Sequence, residues 1–199
     1  WPSRHFYGGA LEPRTVEGHE TLALRRAPTL FVEAIDPSHP RVFLRLESEG
    51  ARRRNDEEAA LVASLVAEFL RCGVSPGELA VIAPFRAQAN AVRMALREAV
   101  GERAVPRELV VDTVERMQGQ ERDVVVVSLT TSDTAYAERL AEFYFQPERL
   151  NVSVTRARRK LVLVGSTAVL RAFVPDPRLR HAVELLRSLL KESKLVRHS

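Results

Sequence analysis

Cys72 is the only cysteine in 199 residues, so no internal disulfide can form. That absence points to a reducing, intracellular setting, cytoplasmic or, in a eukaryote, nuclear. The histidines (His5, His19, His39, His181 and His198) share no ligand spacing, and no metal-binding residue can be nominated. Lysine is nearly missing as well. Lys160, Lys191 and Lys194 stand alone, which leaves 27 of the 30 cationic side chains as arginine. No apolar run approaches the roughly 18–20 residues needed to span a bilayer, so no membrane partner is expected. The opening WPSRHFYGGA lacks a charged stretch followed by an apolar one and reads as a continuation rather than a signal peptide. No Gly-Lys pair occurs anywhere, which excludes a G-x-x-x-x-G-K-[ST] phosphate loop in this chain. No apolar strand ends in the Asp-Glu pair that would hold magnesium. The phosphate-cradling half of a nucleotide site is therefore missing.

What remains is a chain that is 45% hydrophobic and 28% charged, enough for one sizeable core and one domain. The net charge of +4 is modest. Arginine suits bidentate phosphate contacts and base stacking, but composition alone does not establish a nucleic-acid partner.

Residues 1–40 are punctuated by Gly8-Gly9, Pro13, Pro28, Pro37 and Pro40 and read as irregular, with FVEAI (31–35) at best a short strand. VFLRL (42–46) reads as a strand. Asn55 reads as an N-cap, followed by acidic Asp56, Glu57 and Glu58 and a helix with Leu61, Val62, Leu65, Val66, Phe69 and Leu70 on one face. Gly73 ends that helix. LAVIA (79–83), ELVVD (108–112), VVVVSL (124–129) and KLVLVG (160–165) read as strands, the third central and the fourth last. Helices are predicted over 86–100, from Pro147, and over 178–193, with a polar connection over 130–146. Strands alternating with helices predict an α/β fold with a mostly parallel sheet, helices on both faces, and ligands at the carboxyl ends of the strands.

Three segments carry the candidate chemistry. In LAVIAPFRAQ (79–88), a strand ends at Pro84-Phe85, which puts Pro84, Phe85 and Gln88 at the ligand rim. An aromatic beside a proline can support a base, and glutamine can bond a phosphate or sugar. The structural alternative packs Phe85 in the core. In VDTVERMQGQERDVVVV (111–127), Thr113 follows a strand, and Gln118-Gly119-Gln120-Glu121 forms a turn around a glycine that allows close backbone approach. The alternative is an ordinary exposed connection. In ERLNVSVTRARRKLVLVGS (148–166), Arg156, Arg158 and Arg159 crowd the approach to an apolar strand. One could reach a phosphate bound elsewhere; the alternative is a solvated basic helix end.

Taken together and in this order, these segments resemble the second RecA-like domain of superfamily 1 DNA/RNA helicases, in the group of the nonsense-mediated-decay helicase and senataxin. APFRAQ resembles motif IV, VDTVERMQGQERDVVVVSL motif V and LNVSVTRARRKLVLVGS motif VI. PSRHFYGGAL and RRRNDEEAALVASLVAEFL resemble the family's domain-boundary stretch and its Asn-x-x-Glu helix. The short gap between the first motifs is unlike the repair-helicase branch. The resemblance implies a RecA-like, P-loop NTPase-type fold lacking its own P-loop, with 1–40 a lead-in from a preceding motor domain and 41–199 the domain itself. It implies Arg156 as the arginine finger and Gln118, Gly119, Glu121 and Arg158 as nucleotide-side residues. Pro84, Phe85, Gln88 and Thr113 are implied to lie on the nucleic-acid track. ATP and magnesium would be bound mainly by a first RecA-like domain of the same polypeptide, with none held by this chain and no ATPase from it alone. Single-stranded DNA or RNA is the implied partner. The competing reading is a stand-alone binding module that holds nucleic acid without hydrolysis.

Overall fold

The computed structural model describes residues 21–101, 105–117 and 119–198. The segment PSRHFYGGAL and Gln118 lie outside them. Six strands form one sheet: β1 (Arg41–Arg45), β2 (Leu79–Ala83), β3 (Val110–Thr113), β4 (Arg122–Ser128), β5 (Ala157–Gly165) and β6 (Lys194–Arg197). Their order is β3-β2-β4-β5-β1-β6, and every recorded pairing is parallel. β4 is interior and β2 is buried along its whole length, as continuous apolar strands in a covered parallel sheet should be.

Seven α-helices are described: α1 (Val32–Ile35), α2 (Asp56–Arg71), α3 (Arg86–Val100), α4 (Thr134–Arg139), α5 (Ala141–Tyr144), α6 (Pro147–Thr155) and α7 (Pro177–Lys191). Asn55 caps α2 by accepting from the Glu58 N–H at 3.0 Å, with three acids in the first turn. α2 and α3 share one core with Val81, Val126 and Val162; α7 closes the opposite face over Ile82, Val125 and Leu163. The sheet is thus covered on both sides, and its two edges are left to carry chemistry.

Three expectations change. FVEAI is a single helical turn, not a strand: Phe31 takes φ 53°, and the Ile35 N–H reaches the Phe31 carbonyl at 2.9 Å. A short apolar run does not distinguish the two, and here Ala34 and Ile35 are the buried pair. The polar connection over 130–146 holds α4 and α5, anchored by buried Ala137, Ala141 and Phe145. β5 is not the last strand, because β6 adds at the β1 edge.

Residues 22–40 pack against the same core. Leu22, Ala34 and Ile35 are buried. The N–H groups of Thr29 and Leu30 donate to Glu68 Oε1 (2.5 and 2.9 Å), and Lys160 Nζ donates to the Asp36 and His39 carbonyls (2.7 and 2.6 Å).

Candidate functional site

The carboxyl edge of the sheet carries a cleft. β2 ends into Pro84, β3 ends at Thr113, and α6 brings Arg149 across from them. Pro84, Arg86, Thr113, Glu115, Arg116, Phe143 and Arg149 line a space of about 500 Å³. Its charges are ordered. Asp112 pairs with Arg93 (3.2 Å) and Arg116 (3.9 Å), and Glu115 pairs with Arg149. Burial pushes the Glu115 carboxyl up, but the Thr113 hydroxyl and the Arg149 and Arg86 guanidiniums outweigh it and hold the group below its usual range. The Arg149 guanidinium lies 4.0 Å from the Phe143 ring centroid. With Arg86 and Arg116 beside it, the cleft offers cations and an aromatic face together, the combination that binds a single strand.

Pro84 and Thr113 are therefore where the sequence placed them, on this rim. Phe85 and Gln88 are not open to it. Phe85 is buried and stacks on Phe143 (centroids 5.2 Å apart, planes at 19°), so it supports the cleft from beneath. Gln88 is fully buried: its Oε1 accepts from the Asn55 N–H at 2.8 Å and its Nε2 donates to the Asn55 carbonyl at 3.1 Å. Its amide joins α3 to the cap of α2. The cause is one turn of geometry, since a residue two positions into α3 points back under the rim rather than over it. Arg86, Arg116, Phe143 and Arg149 were missed. Arg149 was visible as the one cation of helix Pro147–Thr155, within a segment already singled out.

The Gln-Gly-x-Glu turn and Thr-Arg-Ala do not lie on this rim. Both precede strands and so sit at the amino edge, where the expectation of carboxyl-end sites fails for them. β4 has seven residues, which at about 3.3 Å each separates the two edges by roughly 20 Å. At the amino edge the Arg122 N–H donates to the Arg156 carbonyl at 2.9 Å, placing Glu121 beside Arg156. Gly119 takes φ 75° with open space where a Cβ would stand, and Glu121 is exposed. Arg156 caps α6, and its Nη2 donates to Thr155 Oγ1 at 3.0 Å. Its Nε is buried without a hydrogen-bond partner among the described residues. Arg158 differs: it pairs with Asp123 (2.9 Å) and with Glu78, while Asp123 also pairs with Arg159 (2.8 Å). Arg158 thus ties β5 to β4 and to the start of β2.

Beneath the carboxyl edge lies a buried acid. Glu58 Oε1 accepts from Ser128 Oγ (2.5 Å) and the Thr130 N–H (2.8 Å), while Oε2 has no partner among the described residues. Burial pushes its carboxyl up to about 7 against the pull of Ser128 and Thr130. The Asn-x-x-Glu spacing thus serves a cap at Asn55 and a buried link from α2 to the end of β4 at Glu58.

Residues 1–168 match the family described as AAA domain. The chain belongs to the AAA domain family. Within it, the motif order groups this AAA domain with the C-terminal RecA-like domains of superfamily 1 helicases. It is 33% identical over 151 residues to the Mus musculus DNA replication ATP-dependent helicase/nuclease DNA2, covering 71% of this chain and 13% of that protein. It is 30% identical over 177 residues to the Arabidopsis thaliana Regulator of nonsense transcripts 1 homolog, covering 85% of this chain and 14% of that protein. The AAA domain therefore spans about a seventh or less of these relatives. A solved C-terminal domain of a possible DNA helicase from Lactobacillus plantarum aligns with a TM-score of 0.44 at 19% identity, over 72% of this chain and 83% of that one. Among the described residues, no helix is long and apolar enough to cross a membrane.

Proposed function

We propose that this AAA domain is the second motor domain of an ATP-dependent helicase that moves along single-stranded DNA or RNA inside the cell. The observation that carries this reading is the division of the domain into two polar edges: a basic, aromatic cleft at one end of the sheet, and Arg156 beside Glu121 at the other. A motor must hold its track and sense its fuel at separate places joined by a rigid body, and a covered parallel sheet is such a body.

ATP with magnesium, held mainly by a first RecA-like domain of the same polypeptide, supplies the phosphoryl group passed to water. The Nε of Arg156, buried and without a hydrogen-bond partner among the described residues, suits an anion brought against this edge. Arg156 offers its guanidinium to the charge that grows on the transferred phosphoryl group, the arginine-finger role. Glu121 accepts from ribose hydroxyls, and Gly119 lets the backbone approach. Gln118, next to Gly119 in the sequence, is assigned to the nucleotide side with it. Arg158, held by two carboxylates, fixes the start of the strand that follows Arg156. Pro84 and Thr113 contact the strand of nucleic acid, with Phe85 beneath. Closing and opening against the first domain shifts the grip along the track.

The test is Arg156→Ala in the intact protein. Turnover of ATP should fall by roughly 10³–10⁵ while nucleotide affinity stays near normal. The 199-residue chain alone should hydrolyse no ATP yet bind single strands. ATP turnover close to wild type in the variant would sink the role given to Arg156. ATP hydrolysis by the chain alone would sink the division of labour.

A further inference from the structure

The cleft does not account for a second cluster of cations on the carboxyl edge. Arg52, Arg53 and Arg54 follow β1, and Arg139 ends α4. Their backbones are fixed. The Ala51 carbonyl accepts from the Ser132 and Asp133 N–H groups (2.9 and 3.0 Å), the Ala51 N–H donates to Ser132 Oγ (3.0 Å), and Thr131 Oγ1 donates to the Arg52 carbonyl (2.8 Å). The arginine loop is therefore clamped to the segment that leaves β4.

Tyr136 organises the side chains above this clamp. Arg52 and Arg139 each place their guanidinium 5.8 Å from its ring centroid, and Arg53 Nε donates to its hydroxyl at 2.5 Å. Arg52 is neutralised by Asp133 at 2.9 Å, and Arg54 by Asp56 at 2.6 Å. Arg53 and Arg139 are exposed and form no ion pair within 4.0 Å among the described residues, although Asp133, paired with Arg52, also feels the charge of Arg139. Cations gathered around one neutral ring repel one another, and an anion removes that repulsion. Guanidiniums already held in place lose little freedom when they bind one.

We propose that Arg53 and Arg139, fanned around Tyr136, form a second contact surface that takes the sugar–phosphate backbone of a single nucleic-acid strand beyond the cleft. Position favours this occupant. The surface rises from the segment leaving β4, whose neighbour β2 and next strand β3 end in the cleft. One or two strand spacings is roughly 5–10 Å, so one continuous strand can touch both. An acidic protein segment would also meet the charge, and the competition arm of the experiment below separates the two. This inference rests on reading the cleft as part of the nucleic-acid track.

The experiment measures binding of labelled oligothymidylates to the 199-residue chain across a salt series, using one oligomer long enough to leave the cleft and one that only fills it. In R53Q/R139Q the long oligomer should bind about tenfold more weakly at low salt, with the slope of log K against log salt shallower by about 1.4, two phosphate contacts at roughly 0.7 each. The short oligomer should bind as to wild type, and thermal melting should be unchanged. Tyr136→Phe, which keeps the ring but frees Arg53, should weaken only the long oligomer, and by less. If R53Q/R139Q binds the long oligomer with the wild-type slope while Arg116→Gln weakens both oligomers, this surface is refuted and the cleft stands. If wild type binds neither oligomer, the cleft reading falls and this one with it. If polyglutamate displaces the long oligomer from wild type and fails to bind R53Q/R139Q, the surface docks protein and the proposal is overturned.

Discussion

Gln88 shows how far one side chain can stand from what its neighbours suggest. Flanked by a strand end and rim residues, it is nonetheless fully buried, with both amide atoms on the main chain of Asn55. Gln88→Ala would leave the Asn55 N–H buried and unpaired, while its carbonyl keeps the Ala59 N–H, at a cost of about 1–3 kcal/mol. Denaturant unfolding should show the loss, whereas single-strand affinity of the folded variant should match wild type. An affinity drop without a stability drop would restore Gln88 to the track. Pro84 and Thr113 were readable as rim residues because the first follows a strand and the second ends one. Gln88 was not, because its fate depends on Asn55, 33 positions away, and no local pattern records that pairing. The same holds for the Arg149–Glu115 pair across the cleft.

Among the elements, those with a strong period were legible: α2, α3, α7 and the apolar strands β2, β4 and β5. β6 was not, because its four residues, KLVR, are mostly exposed and only backbone pairing to β1 makes them a strand. α4 and α5 are short and break at Leu140, so only the spacing of buried Ala137, Ala141 and Phe145 marks them. Which edge of the sheet each motif occupies was half legible: a residue after a strand lies at one edge and a residue before a strand at the other, and Arg156 and Glu121 precede theirs. The attachment of residues 22–31 is a matter of elements too. Glu68 on α2 accepts from the Thr29 and Leu30 N–H groups and from Arg71 (2.7 Å); Arg71 holds its carboxyl far below the usual range despite burial. Glu68→Ala removes charge-assisted bonds worth about 1.5–3 kcal/mol. Hydrogen exchange should then rise first at Thr29 and Leu30, with the β4 and β5 amides still protected. Uniform loss of protection instead would mean that the lead-in and the sheet open as one unit.

The whole molecule joins two buried ionisable groups that bend its stability in opposite directions with pH. Glu58 titrates at about 7 in the fold against 4.5 as a free side chain. Folded chains therefore hold its proton more tightly, and the stability this gives is complete below 4.5 and lost as pH rises through 7. Lys160, almost wholly buried, is pulled by burial from 10.5 down to about 8. There the unfolded chain holds the proton more tightly, so stability is regained as pH rises from 8 towards 10.5. Below about 4.5 the depressed carboxyls of Glu68, Asp36, Asp133 and Glu115 protonate and take away their own share. Melting temperature should accordingly peak near pH 5, dip between 7 and 8, and recover on the alkaline side. Glu58→Gln should flatten the descent from 5 to 7 and leave the alkaline recovery, while Lys160→Met should do the reverse. A single broad maximum at neutral pH in the wild type would contradict both assignments. Flattening of both limbs by either substitution would mean that the two groups, near opposite ends of β5, titrate as one system through the sheet rather than independently.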